Sequence, residues 1–315
     1  MEEEILLVGA GRMSMEYSKV LRAMNIPFIV VGRSEKSAEN FKQITGISPF
    51  TGGIERFIEK AGKIPDIAII AVNVVDLYKV CKLLIRKGVS RILLEKPGAL
   101  FIEEINDLFS ESVKSGSSIF IAYNRRFYNS VEMAKEILAS DGGVLSFNFE
   151  FTEWSDKVEA FVTDTDEKNR WFISNSSHVA DLAFYLGGKP VDIKCYTAGG
   201  LPWHESASIF GGSGITDKGA IFSYTANWNA PGRWGVELLS AHNRVILRPL
   251  EQLQILKKGS LQPESYNLED DLDKKFKPGL YRLVEAFLKG DYNRLCSVKE
   301  QAEMFRYYCL IANYD

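Results

Sequence analysis

The chain has 315 residues, 46% hydrophobic and 25% charged, with a net charge of −3; this is the balance of a folded protein long enough for two domains. That charge supplies no global basic field for nucleic acid or an anionic membrane. The four cysteines, Cys81, Cys195, Cys296 and Cys309, have no paired spacing and read as reduced thiols of a cytoplasmic protein. The opening Met1-Glu2-Glu3-Glu4 is acidic where a signal peptide is basic. No apolar run approaches the roughly 20 residues that span a bilayer.

The first 120 or so residues alternate between two periods. Apolar runs at 5–10, 28–32, 66–72, 91–96 and 118–124 read as strands. Segments 15–24, 37–45, 76–88 and 102–116 have helical spacing. Such alternation predicts a doubly wound parallel sheet with helices on both faces. The strands are apolar throughout, as both-sided burial requires. After about residue 125 the pattern changes. A helix at 130–140 leads into β-rich stretches at 144–154, 191–199, 219–229 and 235–249, separated by glycine-rich turns. These predict a large, mostly antiparallel open sheet, with helices near 174–186, 279–289 and 298–312.

Between the first strand and first helix stands VGAGRMS, residues 8–14. Gly9 permits a tight turn and Gly11 lets backbone approach a pyrophosphate at the helix N-terminus. Ser14 replaces the third glycine of the usual pattern and is small enough for close helix–strand packing. The context makes this a dinucleotide-binding loop, with Arg12 and Met13 in it and Val72 at the end of the third strand as further cofactor contacts. The expected architecture is an α/β chain: a Rossmann domain over 1–124 and an α+β substrate-binding and oligomerisation domain over 125–315. The second strand ends VVGRSEK, with Gly32 where an NAD enzyme carries an acid. Arg33 can grip a 2′-phosphate in two places and Ser34 can donate to it, which predicts NADP(H) over NAD(H).

RILLEKPGAL, residues 91–100, ends an apolar strand in Glu95-Lys96-Pro97. Ligands of open α/β sheets bind beyond the carboxyl ends of the strands, so Lys96 is expected to face the nicotinamide region. GAGRMS, then EKP at 95–97, then YNRRF at 123–127, then a helix carrying His178, together resemble the Gfo/Idh/MocA oxidoreductases, the glucose–fructose oxidoreductase and inositol dehydrogenase family. The resemblance runs over essentially the whole chain, and EKP is its most specific part.

The resemblance implies roles. Lys96 would hydrogen-bond the reacting oxygen, Pro97 would follow a cis peptide, and Glu95 would stand behind the lysine; all three would border the cofactor. Arg126 would lie near substrate or cofactor. His178 would act as general base or acid, as its near-neutral unperturbed pKa suits. The family often carries Asp four residues before this histidine; here Ser174 stands there, able to hydrogen-bond substrate or imidazole without its charge. Asp181, three residues after His178, is placed to orient the ring. Asn124 at a strand end and Trp154 after a strand are further substrate contacts, within a wider set of Arg125, Glu153, Arg170, Trp171, Trp203, Trp228 and Trp234. His204 and His242 read as structural or rim residues, and no residues have metal-ligand spacing.

The function this implies is an NAD(P)-dependent, NADP-favouring oxidoreductase. Hydride would pass between the nicotinamide and a secondary alcohol or ketone of a sugar, sugar derivative or cyclitol. A non-catalytic dinucleotide sensor on the same fold and an imine reductase are the alternatives. The expected partners are a small-molecule substrate and further copies of the chain, in a homodimer or homotetramer built through the C-terminal sheet, with neither nucleic acid nor membrane.

Overall fold

Strand β1 (Ile5–Val8) is buried at every residue, which is why its sequence shows no polar alternation. The computed structural model describes residues 4–314. After β1 come α1 (Arg12–Ala23), β2 (Phe28–Val31), α2 (Glu35–Thr45), α3 (Gly53–Lys60), β3 (Ile67–Ile70), α4 (Leu77–Arg86), β4 (Arg91–Leu94), α5 (Ile102–Ser115) and β5 (Ser118–Ile121). These five strands pair in parallel in the order β5-β4-β3-β1-β2. The doubly wound sheet is as predicted; α3 is an addition to the expected elements.

From Asn124 a second unit begins. It contains α6 (Asn129–Ser140), β6 (Ser146–Glu150), α7 (Ser155–Phe161), α8 (Thr165–Asn169) and α9 (Ser177–Gly187), with one π-helical turn, Phe172–Ser176, leading into α9. Strands β7 (Pro190–Ala198), β8 (Ile209–Thr216), β9 (Ile221–Asn227), β10 (Gly235–Leu239), β11 (Asn243–Leu247), β12 (Gln254–Lys257) and β13 (Glu264–Ser265) follow. They join β6 in one sheet of order β13-β12-β11-β10-β6-β9-β8-β7, antiparallel except where β6 meets β9. Alternation along β6 and β9 buries Phe147, Phe149, Phe222 and Tyr224 on one face, against Phe184 of α9. Gly187 lets α9 settle there, since a Cβ would fall 2.2 Å from the Phe147 ring.

β8 reads IFGGSGIT and carries no strand signal in composition. Its glycines are required by neighbours: a Cβ on Gly212 would lie 2.4 Å from the Tyr224 hydroxyl, and one on Gly214 would lie 2.1 Å from the Asp192 carbonyl oxygen. Tertiary packing, not propensity, makes this segment a strand.

The short helix α10 (Asp271–Lys275) leads to α11 (Leu280–Lys289), β14 (Cys296–Ser297) and α12 (Val298–Ala312). β14 pairs antiparallel with β5 and completes a six-stranded first sheet. Residues Lys275–Glu303 therefore belong with the first unit, and Met304 onward with the second. The sequence reading keeps all of 125–315 in the second domain; β14 is too short, at two residues, to be recognised as the returning edge strand. Among the described residues no helix is long and apolar enough to cross a membrane.

Candidate functional site

Gly9 follows β1 with φ +120°, and a Cβ there would sit 2.2 Å from the carbonyl oxygen of Ala71, so only glycine fits. Gly11 caps α1, and a Cβ on it would meet nothing within 4 Å; its backbone is open to a ligand. Ser14, fully buried, donates from Oγ to Ala71 O at 3.2 Å and ties α1 to the end of β3. Around this loop lies a cavity of about 570 Å³. Gly9, Gly11, Arg12, Met13, Arg33, Ser34 and Val72 line it; Glu95, Lys96 and Pro97 are not among its lining residues.

The end of β2 differs from its sequence reading in two ways. Ser34 is the N-cap of α2, its Oγ accepting from Ser37 N at 3.2 Å, so the hydroxyl serves the helix first. Gly32 is glycine for packing, since a Cβ would come 2.9 Å from Ala10 Cβ. Carboxylates do reach this cavity, from elsewhere in the chain: Glu55 and Asp76 line it, and Asp76 Oδ2 accepts from Arg33 Nη1 at 3.1 Å. Arg33 is itself 74% exposed. No spacing rule points to Asp76, which precedes α4, one strand later in sequence.

The turn after β4 is fixed from several directions. Buried Glu95 accepts from the Tyr17 hydroxyl at 2.7 Å and from the Lys96 backbone N–H at 3.3 Å. Burial raises the Glu95 pKa above its ordinary value, against the opposing pull of the Tyr17 hydrogen bond and the Lys96 charge. The Tyr17 phenol is raised as well, chiefly by burial and then by the Glu95 charge. Lys96 is half-buried, and the Lys96–Pro97 peptide is cis. Gln301, fully buried on α12, donates from Nε2 to Pro97 O and to the Tyr123 hydroxyl, each at 3.0 Å. Gln301 lies 204 residues from Pro97, and neither it nor Tyr17 has a signal in the sequence.

In the second unit, Asn124–Phe127 forms a 3-10 turn with Asn124 buried. Arg126 is 3% exposed and Asp181 2%. They form a bidentate pair, Nε to Oδ2 at 2.9 Å and Nη2 to Oδ1 at 2.5 Å, and the guanidinium lies 4.6 Å from the Tyr185 ring. The sequence reading pairs neither residue with the other. A buried guanidinium requires a buried counter-charge, and each is that for the other. Ser174 Oγ donates to Glu167 Oε1 at 2.8 Å, which commits its one donor to α8.

His178 is the second residue of α9 and is buried, its ring centroid 6.2 Å from that of Trp234. The π turn before it is held by Glu153, which accepts from Ser176 Oγ at 2.7 Å and Asn175 Nδ2 at 3.0 Å; such turns are frequent at functional sites. Trp154 is 50% exposed, with the Arg233 guanidinium 4.7 Å and Lys157 Nζ 4.1 Å from its ring. The Trp234 ring carries two guanidiniums, Arg233 at 4.4 Å and Arg125 at 4.6 Å. Sequence reading contains Arg125 only in the wider set of cleft candidates and omits Arg233, because stacked cations leave no spacing pattern. His204 is structural, its ring nitrogens 2.7 Å from Ala207 O and from the Tyr314 hydroxyl. Trp228 likewise spends its N–H on Phe151 O, and Trp203 on Ser155 Oγ.

No protein-family model matches the chain, and no curated protein sequence matches it. Solved structures do. UDP-N-acetylglucosamine 3-dehydrogenase from Acidithiobacillus ferrooxidans superposes with a TM-score of 0.76 at 14% identity, over 99% of this chain and 97% of that one. An oxidoreductase from Agrobacterium radiobacter, solved with NAD+, L-tartaric acid and magnesium, gives 0.80 at 12% identity, over 100% and 95%. Levoglucosan dehydrogenase with NADH and levoglucosan gives 0.78 at 17% identity, over 99% and 97%. The likeness is one of fold, and the fold is that implied by the resemblance to the Gfo/Idh/MocA oxidoreductases.

Proposed function

We propose that the chain is a nicotinamide-dinucleotide-dependent oxidoreductase that moves hydride between the cofactor and a secondary alcohol or ketone of a sugar or sugar derivative. The observation that carries this reading is the cavity at Gly9 and Gly11, a cradle in which one glycine is forced by Ala71 and the other leaves backbone open. The nicotinamide, when bound, supplies the hydride chemistry. Gly9 and Gly11 offer backbone to the pyrophosphate, and Ser14 holds the helix beneath it. Lys96, on a turn braced by Glu95, Tyr17 and Gln301, hydrogen-bonds the reacting oxygen. His178 takes or returns that oxygen's proton. That the neighbouring folds include dehydrogenases solved with NAD+ or NADH supports the reading.

For the cofactor we keep NADP(H), on Arg33. Its pairing with Asp76 must open before a 2′-phosphate can enter, so the discrimination against NAD(H) is modest. For assembly we propose a homodimer or homotetramer through the outer face of β7–β9, where Tyr196, Ile209, Ile215 and Ile221 are exposed. The test of the reading is titration with NADPH and NADH by fluorescence, followed by turnover with keto-sugars. Binding with turnover is expected. Binding without turnover on any carbonyl would replace the enzyme by a sensor, and binding of neither would remove the reading.

A further inference from the structure

Arg125 is an unusual residue in this fold. Its Nε is buried without a hydrogen-bond acceptor, and among the described residues its side chain forms no ion pair. A desolvated guanidinium in that condition is costly. Burial accordingly lowers its pKa, against the attraction of Tyr128 and Glu251 and with Arg233 adding repulsion. The nearby acids are otherwise engaged. Glu153 accepts from Ser176 and Asn175 on Oε1 and faces Arg233 Nη1 at 3.5 Å on Oε2, while Glu251 is hydrogen-bonded with Tyr128.

A second donor shares this condition. Trp234, 4% exposed, has a buried indole N–H with no acceptor. Its ring lies under both Arg125 and Arg233 and beside His178. Two guanidiniums thus stack on one ring next to the histidine, and the ring's own N–H and the Nε of one of those guanidiniums both lack an acceptor. Folding alone gives no reason to gather them, since stacking on Trp234 needs only one cation and consumes none of the N–H groups. A planar fork with free N–H groups matches the oxygens of an anion.

We infer that Arg125, Arg233 and Trp234 form a receptor for an oxyanion carried by the substrate, a carboxylate or a phosphate, so that the chain takes acidic sugars in preference to neutral ones. This rests on the proposed reading of the His178 surroundings as the substrate site. Arg125 provides the buried donor, Trp234 the second, and Arg233 the charge at the outer side, where its side chain is 41% exposed.

The test uses the full chain saturated with dinucleotide and titrated with glucose, glucuronate and glucose 6-phosphate, read by calorimetry and thermal shift. One of the two acidic sugars is expected to bind roughly tenfold or more tighter than glucose, the gain of a charge-assisted bond. The arm that responds identifies carboxylate or phosphate. Arg125→Met should abolish that advantage and, without sugar, should leave the melting temperature unchanged or raise it. Equal binding of acidic and neutral sugars, no response to any of the three, an advantage that survives Arg125→Met, or a marked fall in melting temperature for that variant would each overturn the inference. Failure to bind dinucleotide would instead remove the proposed function, and the same titration without cofactor would still read the anion receptor.

Discussion

Tyr17 and Glu95 are joined by a 2.7 Å hydrogen bond across 78 residues, both buried, one on the helix that follows the glycine loop and the other immediately before Lys96. The glycine loop and the lysine turn are therefore mechanically one piece. Glu95 has a folded-state pKa above its ordinary 4.5, so its burial removes stability as pH rises from there through the raised value. Tyr17 opposes that rise. Tyr17→Phe should destabilise by about 1–3 kcal/mol at neutral pH, with a smaller deficit in acid where the carboxyl is protonated in both states. Urea midpoints across pH check this; a deficit that does not grow with pH would mean that Glu95 is not ionised at neutral pH.

Lys96→Ala should lower turnover by about 10²-fold or more while dinucleotide affinity stays near that of the parent. Stopped-flow hydride transfer and a separate cofactor titration make the check. Near-normal turnover would remove Lys96 from the chemistry.

The parts legible in the sequence are those set by local rules. Strands β1 and β3 are buried at every residue and read as unbroken apolar runs; the glycine loop sits where a strand gives way to a helix. What escaped depends on contacts distant in sequence. Gln301 braces Pro97 from 204 residues away, and the strand character of β8 is imposed by Tyr224 and Asp192 on glycines that alone suggest a turn. Arg126 and Ser174 occupy motif positions in the sequence, but burial gave their donors to Asp181 and Glu167. A motif places a side chain on an element, whereas its partner is chosen by the packing around it.

On the proposed function, Arg33 and its partner Asp76 should set the cofactor preference between them. Arg33→Ala should weaken NADPH by roughly tenfold, the loss of a charge-assisted contact, with little effect on NADH. Asp76→Asn should act oppositely, releasing Arg33 and tightening NADPH. Parallel titrations decide it; equal changes for both cofactors would place recognition of the 2′-phosphate elsewhere. Gly32→Asp is a poor probe of the same question, because its Cβ would stand 2.9 Å from Ala10 Cβ and strain the strand end.

Arg126 and Asp181 should behave as a buried pair and not as substrate ligands. Removing either partner leaves the other charged in an apolar setting, at a cost of about 3–5 kcal/mol. Arg126→Met and Asp181→Leu should each destabilise by that order in urea. The double variant should recover much of the loss, because neither charge is then stranded, giving a coupling energy well above that of independent sites. A substrate contact would produce the reverse pattern, with Arg126→Met near the parent in stability and raised in KM. The double-mutant cycle in urea, run beside steady-state kinetics, separates the two.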